Sequence, residues 1–224
     1  MPVDLTGENR AEAEPTPPAV IPLATPASGE DMAPHPPPLE AIEADRLAPR
    51  FTGEILGVFI APPDVKPPLG FTTYEEFCGS PEAPTVATQW EEAGALALSV
   101  ELPGSFVFQP DSVNSGVIAC EGKVYAARWD YNYSNASGYP GGLTIARSVF
   151  SHITRDVSSS RVKPVVIGGR QAILIEPLTP DGISSSAGVI FPEPFGTTEI
   201  QSAGVPLPDL LAVAETVALA TGNP

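Results

Sequence analysis

Two apolar runs in VKPVVIGGRQAILIEPL, residues 162–178, are separated by Gly168 and Gly169. A two-residue hairpin turn whose twist matches its strands requires positive φ at both central positions. Glycine meets that requirement without a Cβ clash. The spacing predicts a hairpin, and a hairpin makes the local sheet antiparallel. The same IGGR lacks the Gly-Lys-Ser/Thr of a phosphate loop and the spacing of a dinucleotide fingerprint, so a turn is the reading that fits.

Further strand signals surround this hairpin. VIACEGKVYAARWDYNY (117–133) predicts two strands around Glu121-Gly122, GGLTIARSVF (141–150) another, and SAGVIFPEP with TTEIQSAG a pair. Upstream, ALALSVELP (95–103) alternates, with Leu96, Leu98, Val100 and Leu102 on one face, which predicts a half-buried strand. SFVFQPDS continues it as an extended, proline-interrupted segment, and EILGVFIAPP (54–63) reads as a first strand. TYEEFCG (73–79) carries a capping box, Thr73 with Glu76, and Gly79 as a stop, which predicts one or two helical turns.

PLPDLLAVAETVALAT (206–221) changes the period to that of a helix. Leu207, Leu210, Leu211, Ala214, Val217 and Ala218 form its apolar stripe, while Asp209 and Glu215 fall off it. Pro208 and Asp209 suit the first turn, and Gly222 closes it. A lone amphipathic helix needs a partner layer, and the sheet is the only candidate large enough. The expected fold is α+β: a single curved antiparallel sheet with one C-terminal helix packed on a face.

The first fifty residues differ. Eleven of the 28 prolines fall there, and residues 1–37 contain no aromatic side chain. Such a segment cannot bury enough apolar surface to offset chain entropy and reads as a disordered, semi-extended spacer. PLEAIEADRLAPRF (38–51) has the makings of a short helix ended by Pro49. The expected organisation is an acidic Pro-rich tail over 1–50 and one domain over 51–222. No basic n-region with an apolar run stands at the start, and no window approaches a membrane span. Taken literally the chain is soluble and untargeted; read as a stalk, it has a membrane anchor upstream.

Net charge is −16. It repels nucleic-acid phosphates and anionic lipid, which excludes both as bulk partners. The only cysteines are Cys78 and Cys120. They are either a disulfide, worth roughly 4 kcal/mol in the chain-entropy model, or two unrelated buried thiols. A stalk-like start and a bridge both point outside the cytosol, which favours the bridge. Without a Cys-x-x-Cys pair, and with two histidines, a metal site is not expected.

From about residue 85 to 219 the order of features resembles a known family. The pieces are SVELPGSFVFQP, KVYAARWDY, GGLTIARS, VKPVVIGGRQAILIE, AGVIFPEPFGTTEIQSAG and the closing PLPDLLAVAETV. This order is similar to a domain of unknown function in the extracytoplasmic parts of bacterial anti-sigma-factor-like and related envelope proteins. The resemblance implies an envelope location and a non-enzymatic sensing or binding role, with no catalytic residues to carry over. Residues 51–84, including Cys78, have no counterpart in it, and no zinc-binding anti-sigma segment precedes them.

Chemistry-bearing patterns are few. Ser151, His152 and Asp156 are sequence neighbours rather than a triad, and no Gly-x-Ser-x-Gly elbow is present; His35 lies in the tail. Glu75/Glu76 and Glu91/Glu92 are adjacent pairs, whereas a glycosidase needs two acids facing a cleft. Asp130, Asn132 and Ser134 match the first positions of a calcium loop, but Asn135 and Gly141 stand where Gly and Glu are required. Asn132 and Asn135 also head glycosylation sequons, incidental in a bacterial chain. There remains the stripe Tyr125, Trp129, Tyr131 and Tyr133, with Ala127 among them and Val124, Arg128, Asp130 and Asn132 on the opposite face. Either these aromatics pack beneath the C-terminal helix, or they line a cleft for an apolar or peptide ligand. The functional expectation is a non-enzymatic extracytoplasmic sensing or protein-interaction domain needing no cofactor. The alternatives are a carrier of a small apolar ligand and, last, a hydrolase.

Overall fold

The computed structural model describes residues 39–79, 85–86, 90–98, 100–103, 110–120, 122–134, 140–179 and 186–221. The tail expected over 1–37, the extended segment expected over SFVFQPDS up to Gln109 and the helix stop expected at Gly222 lie outside them. The Gly-Gly hairpin forms as expected. Strand β8 (Val162–Ile167) pairs with β9 (Arg170–Ile175), Ile167 facing Arg170. Gly168 and Gly169 take φ of 56° and 80°, the values that a tight turn between twisted strands demands.

Around this hairpin stands an eight-stranded antiparallel sheet. In chain order it comprises β3 (Thr85–Val86), β4 (Ser112–Cys120), β5 (Lys123–Ser134), β6 (Pro140–Ser148), β8, β9, β10 (Ala187–Glu193) and β11 (Gly196–Ala203). Its spatial order is β3-β4-β5-β6-β11-β10-β9-β8. Gly122, at φ 77°, turns β4 into β5. On one face the register aligns Trp129, Ile145, Ile200, Val189 and Leu174 in a cross-strand row. All five are buried, and such rows are the unit of sheet stabilisation. The α3 helix (Leu207–Thr221) lies on this face, packed against β8 and β10. It buries Leu210, Val213, Ala214, Val217 and Ala218. The observed stripe therefore includes Val213 and leaves Leu207 and Leu211 half-buried.

The single sheet is corrected to two. EILGVFIAPP is not one strand but a hairpin, β1 (Gly53–Ile55) and β2 (Val58–Ala61), turning through Leu56 and Gly57 at φ 54° and 78°. A short β7 (His152–Thr154) pairs with β2 in parallel, giving a three-stranded sheet β1-β2-β7. Val58, Ile60 and Ile153 meet Ile173, Ile175 and Ile190 on the face of the large sheet away from α3. Periodicity hid this because β2 is buried throughout and carries no alternation.

Two shorter helices precede the large sheet. Helix α1 is Leu39–Leu47, and α2 is Tyr74–Cys78. Both bonds of the capping box on α2 are present, and Gly79 follows at φ 75°. The expected strand over 95–103 does not form. Residues Trp90–Leu96 make a 3-10 segment kinked at Gly94, and Ala97, Leu98 and Val100–Pro103 have no regular structure. Its alternation still has a physical cause: Leu96, Leu98, Val100 and Leu102 all contact the main core.

Candidate functional site

Strand β5 places the aromatic stripe. Trp129, Tyr131 and Tyr133 project with Ala127 into the main core, at 8, 6 and 3% exposure. Tyr125 does not join them. Ile118 faces Ala126, but Ala119 faces Val124, so Tyr125 is the extra residue of a bulge. The bulge reverses parity, and Tyr125 packs instead with Ala126, Cys78, Cys120 and Phe150 in a separate cluster. Tyr74 meets Tyr125 edge-on at 5.6 Å.

The described residues of the segment 90–102 pack against the cluster that holds the three core aromatics. The 3-10 turn packs directly on β5, and the Tyr131 hydroxyl donates to the Val100 carbonyl at 3.2 Å. Helix α3 closes the β8–β10 end of the same cluster. Gly141 leaves the Tyr133 ring room on β6: a Cβ there would stand 2.4 Å from Tyr133 Cε2. Burial raises the phenol pKa of Tyr131, and it pushes that of Tyr133 far up, reinforced by the Asp209 carboxylate. The Asp209 carboxyl is itself raised by burial. Tyr125 is raised by burial and then by Tyr74. These phenols stay neutral at physiological pH, so the stripe is an apolar wall bearing hydroxyl groups.

The opposite face of β5 is polar. Asp130 accepts from Arg128 Nε and from Thr144 Oγ1, at 2.8 and 2.7 Å, and Asn132 is exposed. Asp130 is thus bound to a cation and a hydroxyl of the chain itself. Among the described residues, no three His, Cys, Asp or Glu side chains gather as a metal site would need.

Ser151, His152 and Asp156 are not brought together as a catalytic set. Ser151 Oγ accepts from the Thr72 amide at 3.0 Å. Asp156 pairs with Arg50 at 2.8 Å. His152 Nε2 has no partner among the described residues; burial lowers the imidazole pKa, with Glu75 acting against it. Glu76 is consumed by its cap on Thr73, and Glu91 is exposed.

Cys78 and Cys120 are joined, with Cα atoms 5.7 Å apart. The bridge fastens α2 to the end of β4 and is itself buried. Two buried ionic groups escaped sequence reasoning. On the α3 face, Arg147 and Arg170 share Glu193, which also accepts from Thr198 at 2.7 Å. Burial pulls the Arg147 guanidinium down, Glu193 acting against it. The available signal was parity, since Arg147 falls on the same face as Ile145 and Leu143. The other group, around Arg161 and Asp45, joins residues 116 apart in the chain, and no local pattern reveals it.

Comparison with protein-family models, curated proteins and solved structures finds no match to this chain. The site is therefore read from its own geometry.

Proposed function

We propose that this chain is a non-enzymatic interaction domain that works outside the cytoplasm, binding its partner on the surface rather than enclosing a small apolar ligand. The observation that carries the reading is the closure of the aromatic face. Trp129, Tyr131 and Tyr133 are buried in one cluster with Leu96 and α3 residues, against which Leu98, Val100 and Leu102 pack, and the Tyr131 hydroxyl bonds to Val100. A carrier would present such a wall to a cavity. The engagement of the Asp156 carboxylate by Arg50 supports the non-enzymatic part. The Cys78–Cys120 bridge is compatible with an oxidising compartment, and no helix among the described residues is long and apolar enough to cross a membrane. An extracytoplasmic location is also what the family resemblance implies.

One edge of the large sheet is suited to a protein partner. β3 pairs only with Ile118 and Ala119, which leaves Ser112–Ser115 of β4 exposed and, among the described residues, paired only on the β5 side. The other edge, β8, carries Lys163 and Pro164, two devices that discourage strand addition. β4 has neither, and an extended partner segment adds to such an edge through main-chain hydrogen bonds. The test is in-cell cross-linking of the exported full chain, wild type against Val113→Lys/Ser115→Lys. The expected result is a partner cross-link lost in the double variant with melting temperature unchanged. A cross-link that persists undiminished moves the interaction elsewhere, and a stoichiometric apolar ligand co-purifying with the wild type overturns the reading in favour of a carrier.

A further inference from the structure

Helix α1 itself meets the domain through a side chain rather than a packed face, while just past its end the Pro49 carbonyl accepts from the Ser159 amide and the Phe51 amide donates to the Val157 carbonyl, at 2.9 and 2.8 Å. None of its residues is buried. The half-buried positions along it and just beyond are Ala41, Asp45 and Ala48, so two methyl groups flank one carboxylate at helical spacing. Leu39 and Leu47 are 82 and 79% exposed. A helix kept for packing turns its leucines inward. This one turns them out and enters the domain through Asp45.

Two groups of the receiving socket are buried, and the third, Arg50, is half-buried. Ser158 is 1% exposed and Arg161 9%. Ser158 Oγ donates to Asp45 Oδ1 at 2.5 Å. Arg161 Nη1 stands 3.6 Å from Asp45 Oδ2, and Arg50 Nη1 stands 3.4 Å from it. Arg161 is held in place independently of α1. Its Nε donates to the Glu176 carbonyl and its Nη2 to the Ser186 carbonyl, both at 2.6 Å. These bonds tie the guanidinium to the chain just past β9 and just before β10, and leave Nη1 directed at the carboxylate. A hydroxyl donor and two guanidiniums around one oxygen pair form a carboxylate receptor.

We propose that Ser158, Arg161 and Arg50 are a carboxylate-binding socket that Asp45 occupies in cis, and that α1 is a displaceable plug. The ligand class is a carboxylate, on an acidic side chain or at a chain end. Asp45 is tethered, so its effective concentration is on the order of millimolar. A competing carboxylate enters when it is presented at comparable local concentration or when the plug is removed. The inference rests on the socket and is independent of the interaction reading above.

The test uses full-length Asp45→Ala titrated with acetate, against chloride at equal ionic strength. The expected results are a lowered melting temperature, saturable recovery with acetate and none with chloride, and loss of that recovery in Asp45→Ala/Arg161→Gln. Trypsin is expected to cut after the exposed Arg46 at least about tenfold faster in Asp45→Ala than in wild type. If Asp45→Ala folds only with acetate present, that is the same rescue. No difference between acetate and chloride, folded or unfolded, overturns the socket, as does rescue that survives the loss of Arg161. Equal tryptic rates in the two chains overturn the plug.

Discussion

Gly141 shows how one residue without a side chain fixes an aromatic site. Its Cα faces the Tyr133 ring, and an added Cβ would also stand 3.2 Å from the Ala203 carbonyl. Gly141→Ala is expected to cost about 1–3 kcal/mol, as overpacking does in a filled core. Chemical denaturation measures it, and the cost should shrink in a Tyr133→Ala background because the two residues are in contact. An unchanged cost in that background would mean that the ring is not the constraint. The composition of the wall was legible by alternation from Ala127 to Tyr133. Tyr125 was not, because a bulge is set by the partner strand's register rather than by its own sequence. Glycine could be read where it made a turn, at Gly168 and Gly169, but not at Gly141, where the reason lies on β5.

Elements carry the acid response. β7 brings His152 against Phe59, ring centres 6.0 Å apart, with α2's Glu75 acting on it from outside. The folded imidazole pKa is lowered from the usual 6.5. A lowered folded value means that the unfolded chain takes up the proton first. The contribution is therefore fully present above pH 6.5 and is lost as pH falls through the folded value. Stability measured from pH 7.5 to 5 is expected to fall more steeply in wild type than in His152→Phe, and parallel curves would contradict the assignment. The elements themselves were legible wherever two signals agreed. The capping box with its glycine gave α2, and period with first-turn residues gave α3. The segment 95–103 had alternation alone. Its leucines do reach the core, but they do so from a 3-10 turn and an irregular stretch, which periodicity cannot distinguish from a strand. The parallel pairing of β2 with β7 links residues far apart in sequence and leaves no local trace.

For the whole molecule, the large sheet is covered on both faces. Segment 90–102 and α3 close one face, while the β1-β2-β7 sheet and the disulfide-bonded α2 cover parts of the other. Layering of helix on sheet followed from the amphipathic C-terminus, but the second sheet and the socket for Asp45 arise only when distant segments meet. What this covering leaves outside is the Ser112–Ser115 edge of β4, and the proposed interaction rests on that edge. Native mass spectrometry of the full chain, recovered from an oxidising compartment and sprayed without reductant, tests the central claim most directly. The account predicts the sequence mass less two hydrogens, no alkylation before reduction, and no apolar adduct. Free thiols in that sample, or a stoichiometric apolar molecule released only on unfolding, would contradict it.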